Sequence, residues 1–257
     1  MNRGDIKIKG EIDIKEKEIL SRSERILGEE KLRRLKDIRV IVFGVGGVGS
    51  WCVEALVRSG VRRITIVDGD RVAVSNINRQ LMATTETVGE VKVEALKRHL
   101  LTVAPEAEIV AMHKNFSEEN ADEFDLDSYD YIIDAIDSLK DKVALIEIAT
   151  RKRGRFFSSM GAALKMDPTR IKVAEFRKAI GCPLARALRN RFKKMGYFPA
   201  KKFKVVYSDE VLPNLGPEPE GERSETDRRK AQINGSLMHI TAIFGMTLAG
   251  LVIEDVR

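Results

Sequence analysis

The stretch that most constrains the fold is a short β-branched run, Val40 to Phe43, leading directly into Gly44-Val45-Gly46-Gly47-Val48-Gly49 and then a helical pattern. Glycines at that spacing permit a tight turn, close approach of backbone to phosphate, and close packing of helix on strand. The free N–H groups at the start of the helix favour an anion. Arg58 falls in the last turn, and Gly60 is placed as a left-handed cap. A second run, Ile64 to Val67, ends at Asp68, nineteen positions after Gly49, where a carboxylate can accept from ribose hydroxyls. Glycines alone would be weak evidence. Strand, glycines, helix, strand and acid in that order are specific, and residues 38–68 read as a nucleotide-binding unit.

The same alternation continues. A polar loop with Asp70, Ser75, Asn76, Asn78, Arg79 and Gln80 is too rich in donors to be a mere connector, and a helix is expected over 90–103 with Lys92 near its start. Glu108 to His113 reads as a third strand, and Ser117 as a helix N-cap with Glu119 in the first turn. Tyr129 to Asp137 is a fourth strand ending in acids, followed by a helix from about Leu139 to Thr150 and a fifth strand, Phe156 to Met160. This order predicts an α/β fold, a Rossmann-like and mostly parallel sheet with flanking helices. Ligands of such sheets sit at the carboxyl ends of strands, where Gly44, Asp68 and Asp137 fall.

The flanks are less regular. Arg22-Ser-Glu-Arg25 opens an amphipathic helical segment running to about Lys36, and residues 1–20 fit either a small hairpin around Lys9-Gly10 or an unstructured tail. Ile171 to Glu175 and Lys204 to Tyr207 fit strands, and Pro183 to Lys194 a helix with proline in its first turn. Residues 208–235 read as a long mobile loop. Ser236 to Ile253 is strongly apolar and reads as a buried core helix, with no stable membrane insertion expected. The domain reading is an extension over 1–21 and one domain over 22–257. Its nucleotide-binding half covers about 22–160 and its substrate-binding half about 161–257.

Composition narrows the partners. Two cysteines among 257 residues make no disulfide framework, and there is no Cys-x-x-Cys for zinc. A reducing, cytoplasmic setting follows. The three histidines, His99, His113 and His239, lack ligand spacing. The net charge of +6 points to an anionic partner, and it is unevenly placed. Between Phe176 and Tyr207 lie ten basic residues and no acid, interleaved with Phe192, Tyr197 and Phe198. Basic groups grip phosphates and aromatics stack unpaired bases, so the segment 177–204 is expected to contact RNA.

At Asn76-Ile77-Asn78-Arg79-Gln80 the chain resembles the ubiquitin-activating-enzyme superfamily, whose bacterial members adenylate a carboxylate with ATP. The shared features are the glycines, Asp68-x-Asp70, Ser75-Asn76, Arg79-Gln80, Lys92 and the strand-ending Asp137, and the match covers about 22–257. Within the superfamily it is similar to the tRNA threonylcarbamoyladenosine dehydratases. That likeness rests on Arg25-Ile-Leu-Gly28-Glu, Gly47-Val-Gly49-Ser-Trp51, Tyr131-Ile-Ile-Asp134-Ala-Ile-Asp137-Ser138, Asp167-Pro-Thr-Arg170-Ile and Pro183-Leu-Ala185-Arg186. The resemblance implies ATP and Mg²⁺ as cofactors, with Gly44, Gly46, Gly47, Gly49, Asp70 and Ser75 around the nucleotide and Asp68 on its ribose. It implies that Arg79 and Lys92 neutralise phosphate charge, that Asn76 positions the phosphates or the attacking carboxylate, and that Asp137 holds the magnesium. Arg25 would reach into the partner subunit's site, which implies a homodimer, and tRNA would be the substrate. The alternative is an activator of a sulfur carrier or ubiquitin-like protein, with a sulfur-donor partner. Some relatives carry a cysteine where this chain has Gln232-Ile-Asn234-Gly235-Ser236, whereas Cys182 lies elsewhere with no histidine beside it in sequence. Cyclisation supplies its own nucleophile and does not oblige a thiol. Cys52 and Cys182 are accordingly expected to serve packing, and Asp134 structure.

Overall fold

The computed structural model describes residues 16–216 and 234–257. Seven strands, β1 (Arg39–Phe43), β2 (Arg63–Val67), β3 (Glu108–Met112), β4 (Tyr131–Asp134), β5 (Arg155–Ser159), β6 (Ile171–Glu175) and β7 (Lys204–Ser208), form one sheet in the order β3-β2-β1-β4-β5-β7-β6. All pairs are parallel except β6 with β7 at the edge, so the expected mostly parallel α/β sheet is what the chain builds. Strand order reverses between β1 and β4, and the crevice at such a switch point is where sheets of this kind hold ligands.

Each central strand is apolar on both sides because helices cover both faces. Val40 and Val42 of β1 join one core with Cys52, Leu56, Leu96, Phe244 and Leu248, whereas Ile41 and Phe43 point into a second with Ile146, Leu188 and Phe192. The period of two along one five-residue strand thus serves two cores. The first is closed by α3 (Gly49–Arg58), α4 (Lys92–Val103) and α7 (Met238–Asp255), the second by α5 (Leu139–Ala149) and α6 (Pro183–Lys194). The α7 helix is long and apolar enough to cross a membrane, yet Ile240, Phe244, Leu248 and Val252 are fully buried in the first core. It crosses α3 so closely that a Cβ on Gly245 would lie 2.3 Å from the Val48 carbonyl oxygen.

Two expected elements differ. The helix read across 22–36 is two helices, α1 (residues 16–27) and α2 (Glu29–Asp37), broken at Gly28 with φ 77°. The break lets Leu20 of α1 and Leu32 of α2 converge on Gly60, where a Cβ would lie 3.5 and 3.6 Å from them. One straight helix could not bury both there. Ser117 caps no α-helix. Its N–H donates to Asn120 Oδ1 (2.8 Å), and only 3-10 turns follow, Ala121–Phe124 and Leu126–Ser128. Phe116 and Phe124 both pack edge-on against Phe43, at 5.1 and 5.2 Å between ring centroids, which draws the crossover into a compact turn. The hairpin or tail at the N-terminus and the centre of the 208–235 loop fall largely outside the described residues.

Candidate active site

At the end of β1 the chain turns at Gly44, whose φ of 82° suits glycine. Its N–H donates to the Val67 carbonyl (2.8 Å), and a Cβ there would lie 2.8 Å from the Ala135 oxygen. Gly49 is tighter still, since a Cβ would lie 1.8 Å from the Gly44 oxygen. The loop is thereby closed on itself, and α3 begins without a side-chain cap. Its first N–H groups are suited to an anion such as phosphate.

Asp68 lies beside this loop. Its Oδ2 accepts from the Val45 N–H (2.8 Å) and its Oδ1 from the Asp70 N–H (2.9 Å), so both oxygens face fixed directions with lone pairs to spare. Burial pushes its carboxyl above the usual range, against the opposing pull of Lys92. Lys92 is buried, and its ammonium donates to Asp70 Oδ2 (2.9 Å) while its backbone N–H donates to the Asp70 carbonyl (3.1 Å). Asp70 therefore holds Lys92 twice.

The donor-rich loop folds as a 3-10 turn, Val74–Asn76. Asn76 is buried with its Oδ1 accepting from the Ala73 N–H (3.1 Å), which fixes the turn. Arg79 donates to the Ser75 carbonyl (2.8 Å) and Asn78 Oδ1 (3.0 Å), and its carbonyl accepts from the Trp51 indole (3.0 Å). A Cβ on Gly47 would lie 3.2 Å from the Arg79 Cγ, so the absence of a side chain there lets the arginine lie over the glycine loop.

Beyond β4, Asp137 is exposed, one position before the true cap of α5, Ser138, whose hydroxyl accepts from the Asp141 N–H (3.5 Å). The turn carrying it is fastened from below. Asp134, fully buried, accepts from Lys142 (2.7 Å), from Ser158 (2.6 Å) and from the Ile136 N–H (3.0 Å), and Lys142 also donates to the Ile136 carbonyl (2.8 Å). Asp134 is structural as expected, but the buried Lys142 that answers it carried no sequence signal.

The carboxyl rim of β1, β2 and β4 thus gathers Gly44, Gly46, Gly47, Gly49, Asp68, Asp70, Ser75, Asn76, Arg79, Lys92 and Asp137. Arg25 is not among them. It is exposed on α1, and its guanidinium makes no ion pair or hydrogen bond among the described residues. Gln80, noted only as part of a motif, is nearly buried beside Gly46, and its Oε1 is a buried acceptor without a partner among the described residues. No cluster of three or more His, Cys, Asp or Glu exists among those residues, so a cation here would depend on Asp137 together with phosphate oxygens, an arrangement common for Mg²⁺.

Both cysteines are buried, and burial pushes the Cys52 thiol up to about 12. Of the aromatics expected to stack on bases, Phe192 is fully buried between Phe176 and Tyr197, and the Tyr197 hydroxyl donates to Glu147. Their spacing suited the core of an amphipathic helix as well as it suited stacking. Only Phe198 is exposed, under the Arg177 guanidinium at 4.8 Å.

Against known proteins, the ThiF family matches residues 20–254. The tRNA threonylcarbamoyladenosine dehydratase of Bacillus subtilis is 38% identical over 238 residues, 91% of this chain and 93% of that protein. The crystal structure of the Escherichia coli tRNA N6-threonylcarbamoyladenosine dehydratase TcdA in complex with ATP superposes with a TM-score of 0.82 at 31% identity, covering 93% of this chain and 94% of that one. A Thermus thermophilus sulfur carrier protein adenylyltransferase, 40% identical, matches only 44% of this chain.

Proposed function

The chain belongs to the ThiF family, and we propose on that footing that it is an ATP-dependent dehydratase that cyclises N6-threonylcarbamoyladenosine in tRNA. The observation that carries this reading is the likeness to dehydratases along both halves of the chain, joined to a tightly closed glycine loop at the carboxyl rim. The sulfur-carrier activator shares less than half of it.

The chemistry has two steps. A carboxylate oxygen of the threonylcarbamoyl group attacks the α-phosphorus, and pyrophosphate leaves. A nucleophilic atom of the same group then attacks the acyl carbon and expels AMP. The carboxylate oxygen departs on AMP, which accounts for the water formally lost. The glycine loop and the α3 N-terminus would cradle phosphates, Asp68 would accept from the ribose, and Arg79 with Lys92 would neutralise charge that builds on the departing pyrophosphate. Asn76 would fix the turn that aims Arg79. Magnesium, held through Asp137, would supply further neutralisation of the phosphates. Since the second nucleophile is tethered beside its target, effective molarity on the order of 10⁵ M or more makes a protein thiol unnecessary.

A homodimer completes the reading. The face of α7 turned away from the core carries His239, Ile243, Met246 and Gly250, one helical stripe that is mostly apolar, and Ile26 beside Arg25 is 87% exposed. A second copy would cover such surface and receive Arg25 in its site. The basic segment 177–204 would bind the tRNA, in a cytoplasmic setting, and the division into nucleotide and substrate halves near residue 160 follows. Incubation with ATP, Mg²⁺ and tRNA bearing the modification, with mass analysis of the released nucleosides, tests the whole. Loss of one water from the nucleoside with AMP formation is expected, and a transfer of AMP to a sulfur carrier with unchanged tRNA would overturn it.

A further inference from the structure

The ten basic residues of 177–204 do not all face the carboxyl rim. β6 runs antiparallel to β7, so Glu175 pairs with Lys204 at the amino end of β7, and α6 descends to the same end before β7 begins. The loop that opens β5 arrives there too. Ala200 N–H donates to the Thr150 hydroxyl (3.2 Å), and Lys201 to the Lys152 carbonyl. The amino rim therefore joins 151–153 with the two ends of the basic segment, around Arg177 and across 199–202, into one surface, whereas its middle starts α6 near Asp209 at the other end of β7. The carboxyl rim at β1 is on the order of 20 Å away, given strands ~16 Å long and three strand spacings of ~4.8 Å from β1 to β7. The phosphates of a nucleotide on the glycine loop do not reach that far.

The charge on this surface is unspent. Asp127 and Glu147 are matched by Lys152 (3.0 Å) and Arg151 (3.0 Å). Arg153, Arg177, Lys178, Lys194, Lys201 and Lys202 are exposed and form no ion pair among the described residues. A cleft of about 210 Å³ opens among them, lined by Arg177, Pro199, Lys201 and Lys202 over the Phe176 and Phe203 core, with Glu175 as its one acid. It is smaller than sites for drug-sized ligands and admits a single base or phosphate. Phe198, 44% exposed and pinned under Arg177, offers a π-face that single-stranded bases use.

We infer that the amino rim of the sheet is a second RNA-docking site, which grips backbone phosphates and stacks an unpaired base of the same tRNA whose modified nucleoside reacts at the carboxyl rim. The site rests on the tRNA reading above and deepens it. An RNA spans ~20 Å where ATP does not, and the distance lets the docking surface set affinity without entering the chemistry.

The test uses the full-length protein and three variants' worth of charge, Arg177→Glu/Lys201→Glu/Lys202→Glu, alongside Phe198→Ala. Direct binding of tRNA by fluorescence anisotropy across salt, KM for modified tRNA, ATP affinity by calorimetry, and binding of polyglutamate are measured on folded protein. The triple variant is expected to raise KM and Kd for tRNA at least tenfold, to flatten the slope of log K against log salt by about 2, and to keep ATP affinity. Phe198→Ala is expected to weaken tRNA at least fivefold with the salt slope and polyglutamate binding unchanged, because stacking releases no counterions. Wild-type tRNA affinity and salt slope in the triple variant would overturn the docking site. So would polyglutamate binding as tightly as tRNA to the wild type with equal loss in the variant, which marks an acidic-protein surface. If the wild type binds tRNA but forms no cyclic nucleoside, the dehydratase reading fails while the binding series still decides the docking site.

Discussion

The two rims of one sheet use charge in opposite ways. At the carboxyl rim, charge is buried and answered at short range: Lys92 by Asp70 at 2.9 Å, and Lys142 by Asp134 at 2.7 Å beneath the turn that carries Asp137. At the amino rim, Arg177, Lys201 and Lys202 stand exposed with no ion pair among the described residues. Paired, buried groups add little net field but are fixed in place, which suits a reaction that depends on geometry. Exposed, unpaired groups are loosely placed but add their fields, which suits a polyanion whose contacts are many and interchangeable. The contrast predicts that the carboxyl rim fails through sub-ångström geometry and the amino rim through lost charge and salt.

The largest effect belongs to the tightest contact. Gly49→Ala places a Cβ 1.8 Å from a backbone oxygen, with no flexible neighbour to yield, so the loop must shift. Overpacking of this kind costs about 3 kcal/mol or more, and a displacement near 1 Å at a phosphate site costs ~100-fold in function. Calorimetry with ATP and a thermal melt check both. Gly28→Ala, where nothing lies within 4 Å of the new Cβ but φ is positive, should lose stability while the ATP site keeps its affinity. Equal ATP loss in both variants would break the contrast between a steric site and a strained hinge.

The next effect tests the proposed sharing of Arg25 between the subunits of a homodimer. Arg25→Ala and Asp137→Ala should each abolish turnover in a folded protein. Random exchange of the two should restore about a quarter of the sites, since half of the dimers are mixed and each holds one intact composite site. No recovery after verified exchange would place Arg25 outside the partner's site, and its exposure on α1 would need another reason.

How much was legible follows the same division. The carboxyl rim was readable because its constraints are local: a glycine pattern, an acid nineteen residues on, a five-residue motif. Lys142 was invisible because what makes it unusual is complete burial beside Asp134, which only the packing of α5 on the sheet creates. The break at Gly28 was missed because it arises from two leucines converging on a distant Gly60. On the basic segment the count of charges was legible, but their direction was not. The antiparallel turn of β6 brings Arg177, Lys201 and Lys202 to the far rim, and Phe192 and Tyr197 proved to be packing and bonding groups.

A smaller effect reads the electrostatics of Asp68. Burial raises its carboxyl pKa, so the acceptor form is lost on acidification at a pH above the ordinary carboxylate range near 4. ATP affinity should fall ~10-fold through that window, as expected for a charge-assisted hydrogen bond, and Asp68→Asn should not titrate there. Stability moves the other way. The folded state holds this proton more tightly than the unfolded chain, so the cost of the buried charge at neutral pH is relieved as pH falls through the raised value. Affinity and stability that decline together would show that acid loosens the fold rather than the site.

The smallest effect on chemistry is expected from the thiols. Cys52 lies on α3 just behind the glycine turn, fully buried in the first core, with its thiol pushed up to about 12, so almost none is thiolate at neutral pH. Cys182 is 1% exposed at the start of α6, in the second core. Both sulfurs are buried away from solvent. Replacing both with serine buries two hydroxyls at a cost of about 1–3 kcal/mol each, so the double variant should melt earlier. Single-turnover formation of the cyclic nucleoside, measured well below that melt, should stay within about twofold of wild type, because the tethered carbamoyl group closes the ring. Accumulation of acyl-adenylate without cyclic product in the folded double variant would require a covalent thioester, and would move the enzyme from cyclisation toward carrier activation.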